Sequence, residues 1–110
     1  MIRLIFLSFS VLTISSFLAS SLYANEAMKH SYVPENGFVP DKRTAINVAE
    51  AILSTIYGVS IIKSERPFNA SLKNGVWTVV GTLPEDAKGG VAEIEISKST
   101  GEVFRVSHGK

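Results

Sequence analysis

The chain reads as an α+β domain, one long helix laid on a curved antiparallel sheet of about four or five strands, and three observations carry that reading. Between Pro40 and Gly58 apolar residues recur at helical spacing. Beyond Pro67 the period changes to two, in segments separated by turn residues. Asn74-Gly75 stands inside LKNGVWTVVGT, Leu72 to Thr82, between two strand-forming segments. Asn-Gly is a strong hairpin signal because both central residues of a type I′ turn take positive φ, which Gly adopts freely and Asn tolerates.

The elements follow in order. Met1-Ile2-Arg3 is a short positive start, and Leu4 to Leu18 then carries no charged residue, the pattern of a signal peptide over 1–24 with cleavage after Ala24. An uncleaved anchor is the alternative, since the uncharged stretch from Leu4 to Asn25 could nearly span the ~30 Å hydrocarbon core. Cleavage delivers the domain to the periplasm or the medium, with no membrane association afterwards. Residues 25–39 mix polar residues with Pro34 and Gly37 and show no period, so a flexible lead-in is expected there, with the domain itself over 40–110.

Asp41, after Pro40, is placed to cap a helix: its carboxylate accepts from free backbone N–H groups and suits the positive end of the dipole. The helix is expected to reach Tyr57, with Ala45, Ala49, Ile52 and Ile56 facing a core, Ile46, Val48 and Leu53 broadening the stripe, and Gly58 at the C-cap. Val59 to Lys63 is read as a short strand, broken at Arg66-Pro67. Phe68, Ala70 and Leu72 start an alternating strand into the Asn-Gly turn, and Val76 to Thr82 returns from it. Trp77 and Val79 lie on one face and Val76, Thr78 and Val80 on the other, which suits a central strand. Leu83 to Gly90 is a loop. Val91 to Ser97 alternates, with Ala92, Ile94 and Ile96 inward and Glu93, Glu95 and Ser97 outward. A turn around Gly101 leads to a last strand, Val103 to Ser107, with Phe104 and Val106 expected inward.

Composition bounds the function. A chain of 110 residues, part of it lost to export, holds one domain and one core. There is no cysteine, so disulfides, cysteine metal sites and lipid attachment at an N-terminal cysteine are excluded. Without Arg3 the chain carries ten basic and ten acidic residues, a balance that argues against nucleic-acid binding.

No catalytic motif is visible, and no cofactor or metal is expected. His30 falls in the lead-in and His108 two residues before the sequence ends, where neither is naturally held rigid enough for catalysis; His108 suits a structural or interfacial role. No spacing of His or carboxylates suggests a metal site. Glu93 and Glu95 share a strand face, where two acids keep a strand soluble or attract a basic partner. Gly89-Gly90 is too short for a phosphate loop and is read as backbone geometry. Trp77 is assigned to the core.

Several blocks carry a resemblance: VPD at Val39–Asp41, IYG at Ile56–Gly58, PFNASLKNGVWTVVGTLP at Pro67–Pro84, GGVAEIEISKSTGEV at Gly89–Val103, and HGK at His108–Lys110. In this order they resemble the bacterial NTF2-fold immunity proteins of polymorphic toxin systems. The resemblance implies an NTF2-like or cystatin-like fold, a protein partner and a non-enzymatic role in neutralising a toxin by binding it. The chain has room for one long helix where a full NTF2-like cone has several, so a deep ligand cavity is not expected. The candidate partner surface is the 83–90 loop, with Glu85, Asp86 and Lys88, together with Glu93, Glu95 and His108. Two other readings stand beside it: a module like the PepSY domains, which share a helix with a few strands and a phrase like EIEISKSTGEV, and a small NTF2-like enzyme or ligand carrier.

Overall fold

The computed structural model describes residues 31–109, so the signal peptide, its cleavage point, His30 and the first part of the lead-in lie outside the described residues. The compact unit begins at Val33. It contains two helices, α1 (Lys42–Tyr57) and α2 (Val59–Ser64), followed by four strands, β1 (Asn69–Lys73), β2 (Val76–Val80), β3 (Ala92–Ser97) and β4 (Val103–His108). The strands form one antiparallel meander in the order β1-β2-β3-β4. This is the α+β architecture that the periods predict, with four strands.

Helix α1 begins and ends where its chemistry dictates. The Asp41 carboxylate accepts the Thr44 backbone N–H at 2.8 Å. That bond, which favours the charged form, holds the carboxyl below its usual range, with help from the Thr44 hydroxyl and Arg43. At the other end Gly58, at φ 99°, donates its N–H to Ser54. Ala45, Ala49 and Leu53, four residues apart, are fully buried, while Ile46, Val48, Ile52 and Tyr57 pack around them. The stripe is therefore centred on Leu53, and Ile56, expected on the core face, lies off its edge and is 54% exposed.

Val59 to Lys63 is helical where a short strand was expected. The Ile62 N–H bonds to the Gly58 carbonyl, so the chain restarts a helix directly after the cap of α1. A lone strand there would leave its backbone groups unpaired, whereas a helical turn satisfies them internally. Of its apolar residues Ile62 is buried, and Val59 and Ile61 are exposed.

The hairpin turn between β1 and β2 has Asn74 at φ 50° and Gly75 at φ 75°, the two positive values that a type I′ turn needs. Strand β2 lies inside the sheet, with Trp77 and Val79 buried against α1 and Val76, Thr78 and Val80 half-buried on the far face. Ala92, Ile94 and Ile96 of β3 complete the core, and full burial of side chains such as Leu53, Ile62 and Ile94 contributes about 1.5–3 kcal/mol each. In β4, Ile94 faces Val106 and Ile96 faces Val103, and a register shift between Glu95 and Ile96 leaves Phe104 without a partner. That bulge carries Phe104 out to 52% exposure, against the inward position expected of it, while Val106 packs on the core.

The last residues of the expected lead-in are tied to the domain. The Phe38 and Val39 N–H groups bond to the Ser99 and Lys98 carbonyls, Lys98 Nζ donates to the Asn36 carbonyl, and Trp77 Nε1 donates to the Val39 carbonyl at 2.7 Å. Val39 is itself buried.

Candidate functional site

The 83–90 loop leaves the sheet at the end of β2 and returns at the start of β3, and its base is organised by Glu65. Pro67 is what places that residue. A residue preceding proline is disfavoured in the helical region, so α2 stops before Arg66, and Glu65 becomes its C-cap with its N–H on the Ile62 and Lys63 carbonyls. From there the side chain runs inward, and Glu65 is only 3% exposed. Its Oε1 accepts the Ala92 N–H at 2.6 Å, and its backbone carbonyl accepts the Thr82 N–H at 2.7 Å. Gly81 makes the approach possible, because a Cβ there would lie 2.8 Å from Oε1 and 3.1 Å from Phe68 Cε2.

A buried carboxylate needs both oxygens satisfied, and the second, Oε2, lies 3.0 Å from His108 Nε2. His108 Nδ1 lies 3.0 Å from the Gly109 carbonyl, and the Tyr57 ring stands 5.0 Å from the imidazole, tilted by 58°. Both ring nitrogens thus face acceptors, an arrangement that only the doubly protonated ring satisfies in full. The His108 pKa is raised accordingly, by the Glu65 hydrogen bond first and the Gly109 carbonyl second, against a smaller opposing effect of burial. Next to this cluster Arg66 pairs with Glu50, which ties the link after α2 back to α1.

On the far face of the sheet Arg105 sits between the two acids of β3. Its Nη2 lies 2.9 Å from Glu93 and its Nε 3.4 Å from Glu95. These side chains are one third to one half exposed, so the pairs contribute little to stability and chiefly fix the pattern of charge on that face.

The six candidate residues therefore occupy three settings. Glu85, Asp86 and Lys88 are exposed on the loop, with Asp86 at φ 65° in its turn. Glu93 and Glu95 lie on the outer sheet face, already paired with Arg105. His108 lies on the α1 side, at the sheet end from which the loop projects. The loop joins the other two settings, since Val80 at its near end faces Glu93 and Ala92 at its far end faces His108. Glu65 and Tyr57 are the members that sequence reasoning missed. A glutamate within SERP resembles any surface acid, and no spacing rule predicts that it turns under Gly81; the proline two residues later was the one available cue.

A histidine oriented by a carboxylate is familiar from acid–base catalysis, yet here both ring nitrogens are engaged by Glu65 and Gly109 and none faces a substrate position. Among the described residues, no group of three or more His, Cys, Asp or Glu could hold a metal ion, and no buried side-chain nitrogen or oxygen lacks a partner. No described helix is long and apolar enough to cross a membrane. The arrangement can hold a charged, exposed loop on a firm base beside a polar sheet face.

Comparison with known proteins agrees with this geometry. Two Escherichia coli K12 proteins, named Uncharacterized protein YhhH and Uncharacterized protein YbbC, are 34% and 36% identical to the chain over 73 residues, which is 66% of this chain. The match spans 58% and 60% of those two proteins. No solved structure matches. A family model described as NTF2 fold immunity protein matches residues 44–110, which takes in α1 from its third residue, all of α2 and all four strands. The chain belongs to the NTF2 fold immunity protein family.

Proposed function

We propose that the protein is an exported immunity protein that neutralises a bacterial toxin by binding it, without catalysis, in the periplasm or outside the cell. Membership of an immunity family is the observation that carries this reading. The uncharged segment behind Arg3 supports export. The site supports binding: an apolar core lies between α1 and the sheet, both ring nitrogens of His108 are engaged, and the loop sets Glu85, Asp86 and Lys88 in solvent beside the half-exposed Glu93 and Glu95. A standard interface takes about 800 Å² from each partner, which one sheet face with its adjoining loop can supply.

The surface assigned to the toxin comprises Glu85, Asp86 and Lys88 on the loop and Glu93 and Glu95 beside it. Co-expression with toxins encoded by neighbouring genes, scored for rescue of growth, tests the function. Rescue by one of them, with direct binding of the purified pair, is the expected result; failure to rescue from any, or capture of a peptidase alone, overturns it. The combined variant Glu93→Lys, Glu95→Lys tests the surface separately, since rescue that persists in it removes that face while leaving the function standing.

A further inference from the structure

Glu65 touches both ends of the 83–90 loop, holding Thr82 through its backbone carbonyl and Ala92 through its carboxylate, while the remaining carboxylate oxygen faces His108. We infer that Glu65 and His108 form a proton-controlled clamp on this loop, closed when the imidazole is charged and loosened when it loses its proton. The inference rests on the reading that the loop belongs to the toxin-binding surface, and it makes toxin capture tighter on the acidic side of the His108 transition.

The geometry argues for coupling in both directions. A carboxylate buried this deeply is stabilised by a charged partner, and the imidazolium donates one N–H to Oε2 and the other to the Gly109 carbonyl. A neutral ring has a single N–H, so one of those two oxygens then faces a lone pair, and the lost bond and the repulsion favour a shift of the 108–109 segment. Movement at 108–109 reaches the loop directly. His108 pairs with Ala92, the Gly109 N–H bonds to the Val91 carbonyl, and Gly90 lies so close to Gly109 that a Cβ on it would meet the Gly109 backbone at 2.3 Å. The groups facing the imidazole are Tyr57 from α1, its ring tilted against it, and Glu65 from the link after α2; from β3 it meets Ala92, while Glu93 and Arg105 pair on the opposite sheet face.

The test follows His108 and the amides of Ala87, Gly90, Val91 and Ala92 by NMR as pH is raised on the intact, isotope-labelled protein. Expected are loop shifts with the His108 midpoint and amide exchange at Ala92 at least about tenfold faster above it, beyond the ordinary pH dependence of exchange. In His108→Gln, which keeps a donor and cannot titrate, the loop shifts disappear while the other amides hold their positions. Loop amides that stay flat through the His108 midpoint, or that titrate unchanged in His108→Gln, overturn the clamp. Affinity for the toxin identified by rescue, measured across the same midpoint, separates the two readings: a loop that titrates beside an affinity that does not supports the clamp and removes the loop from the binding surface.

Discussion

Gly81 is the residue on which the loop base depends most directly, because the space a Cβ would need is already filled by Glu65 and Phe68. Gly81→Ala should destabilise the domain by about 1–3 kcal/mol, read as a lower denaturation midpoint, since the neighbours are a buried carboxylate and a buried ring with little room to retreat. His108 gives a signed dependence on pH. Folding raises its pKa above the ordinary 6.5, so the stabilisation is fully present below that value and is lost as pH rises through the raised one. Chemical denaturation across this range should show stability falling with rising pH, and His108→Gln should flatten that slope; an unchanged slope in the variant assigns it elsewhere. His108 was visible in the sequence as a candidate, but its partner was not. Burial of Glu65 arises from contacts with residues 16 to 43 positions further along, and those separations leave no local period.

Among the elements, α1 and the hairpin were legible because their signals are local. Asp41, Gly58 and Asn74-Gly75 each act on backbone within a few residues, and each stands where its chemistry predicts. The elements misread depend on what lies beside them. Val59–Lys63 has β-branched residues but no strand to pair with, so it coils, and Phe104 leaves the inward pattern because β4 carries one residue more than β3 opposite it. These assignments have measurable costs. Leu53→Ala, in the fully buried centre of the α1 stripe, should cost about 2–5 kcal/mol of unfolding free energy. Phe104→Ser, on the exposed bulge, should change it by no more than about 0.5 kcal/mol, and a large loss there would mean that the ring is packed. Asp41→Ala should lower the denaturation midpoint, whereas Asp41→Ser, which keeps a cap, should recover most of the difference.

At the scale of the whole molecule, one sheet face is committed to the core and the other carries the Glu93–Arg105–Glu95 array beside a charged loop. The combined variant Glu85→Lys, Asp86→Lys should weaken toxin binding at least about tenfold, with the loss largest at low salt, and leave the denaturation midpoint nearly unchanged. Equal affinity in the variant, measured calorimetrically, would take the loop out of the interface. The Trp77 bond to the Val39 carbonyl extends to the order in which the molecule assembles. Every strand pairs with its neighbour in sequence, so the sheet closes through connections local in the chain, while the 36–39 segment must find residues 98–99 across the length of the domain. That closure is entropically the most demanding, and it is completed on the indole of the chain's single tryptophan. Refolding followed by tryptophan fluorescence should therefore lag behind sheet formation followed by circular dichroism, giving the protein an optical clock for the docking of its leading segment.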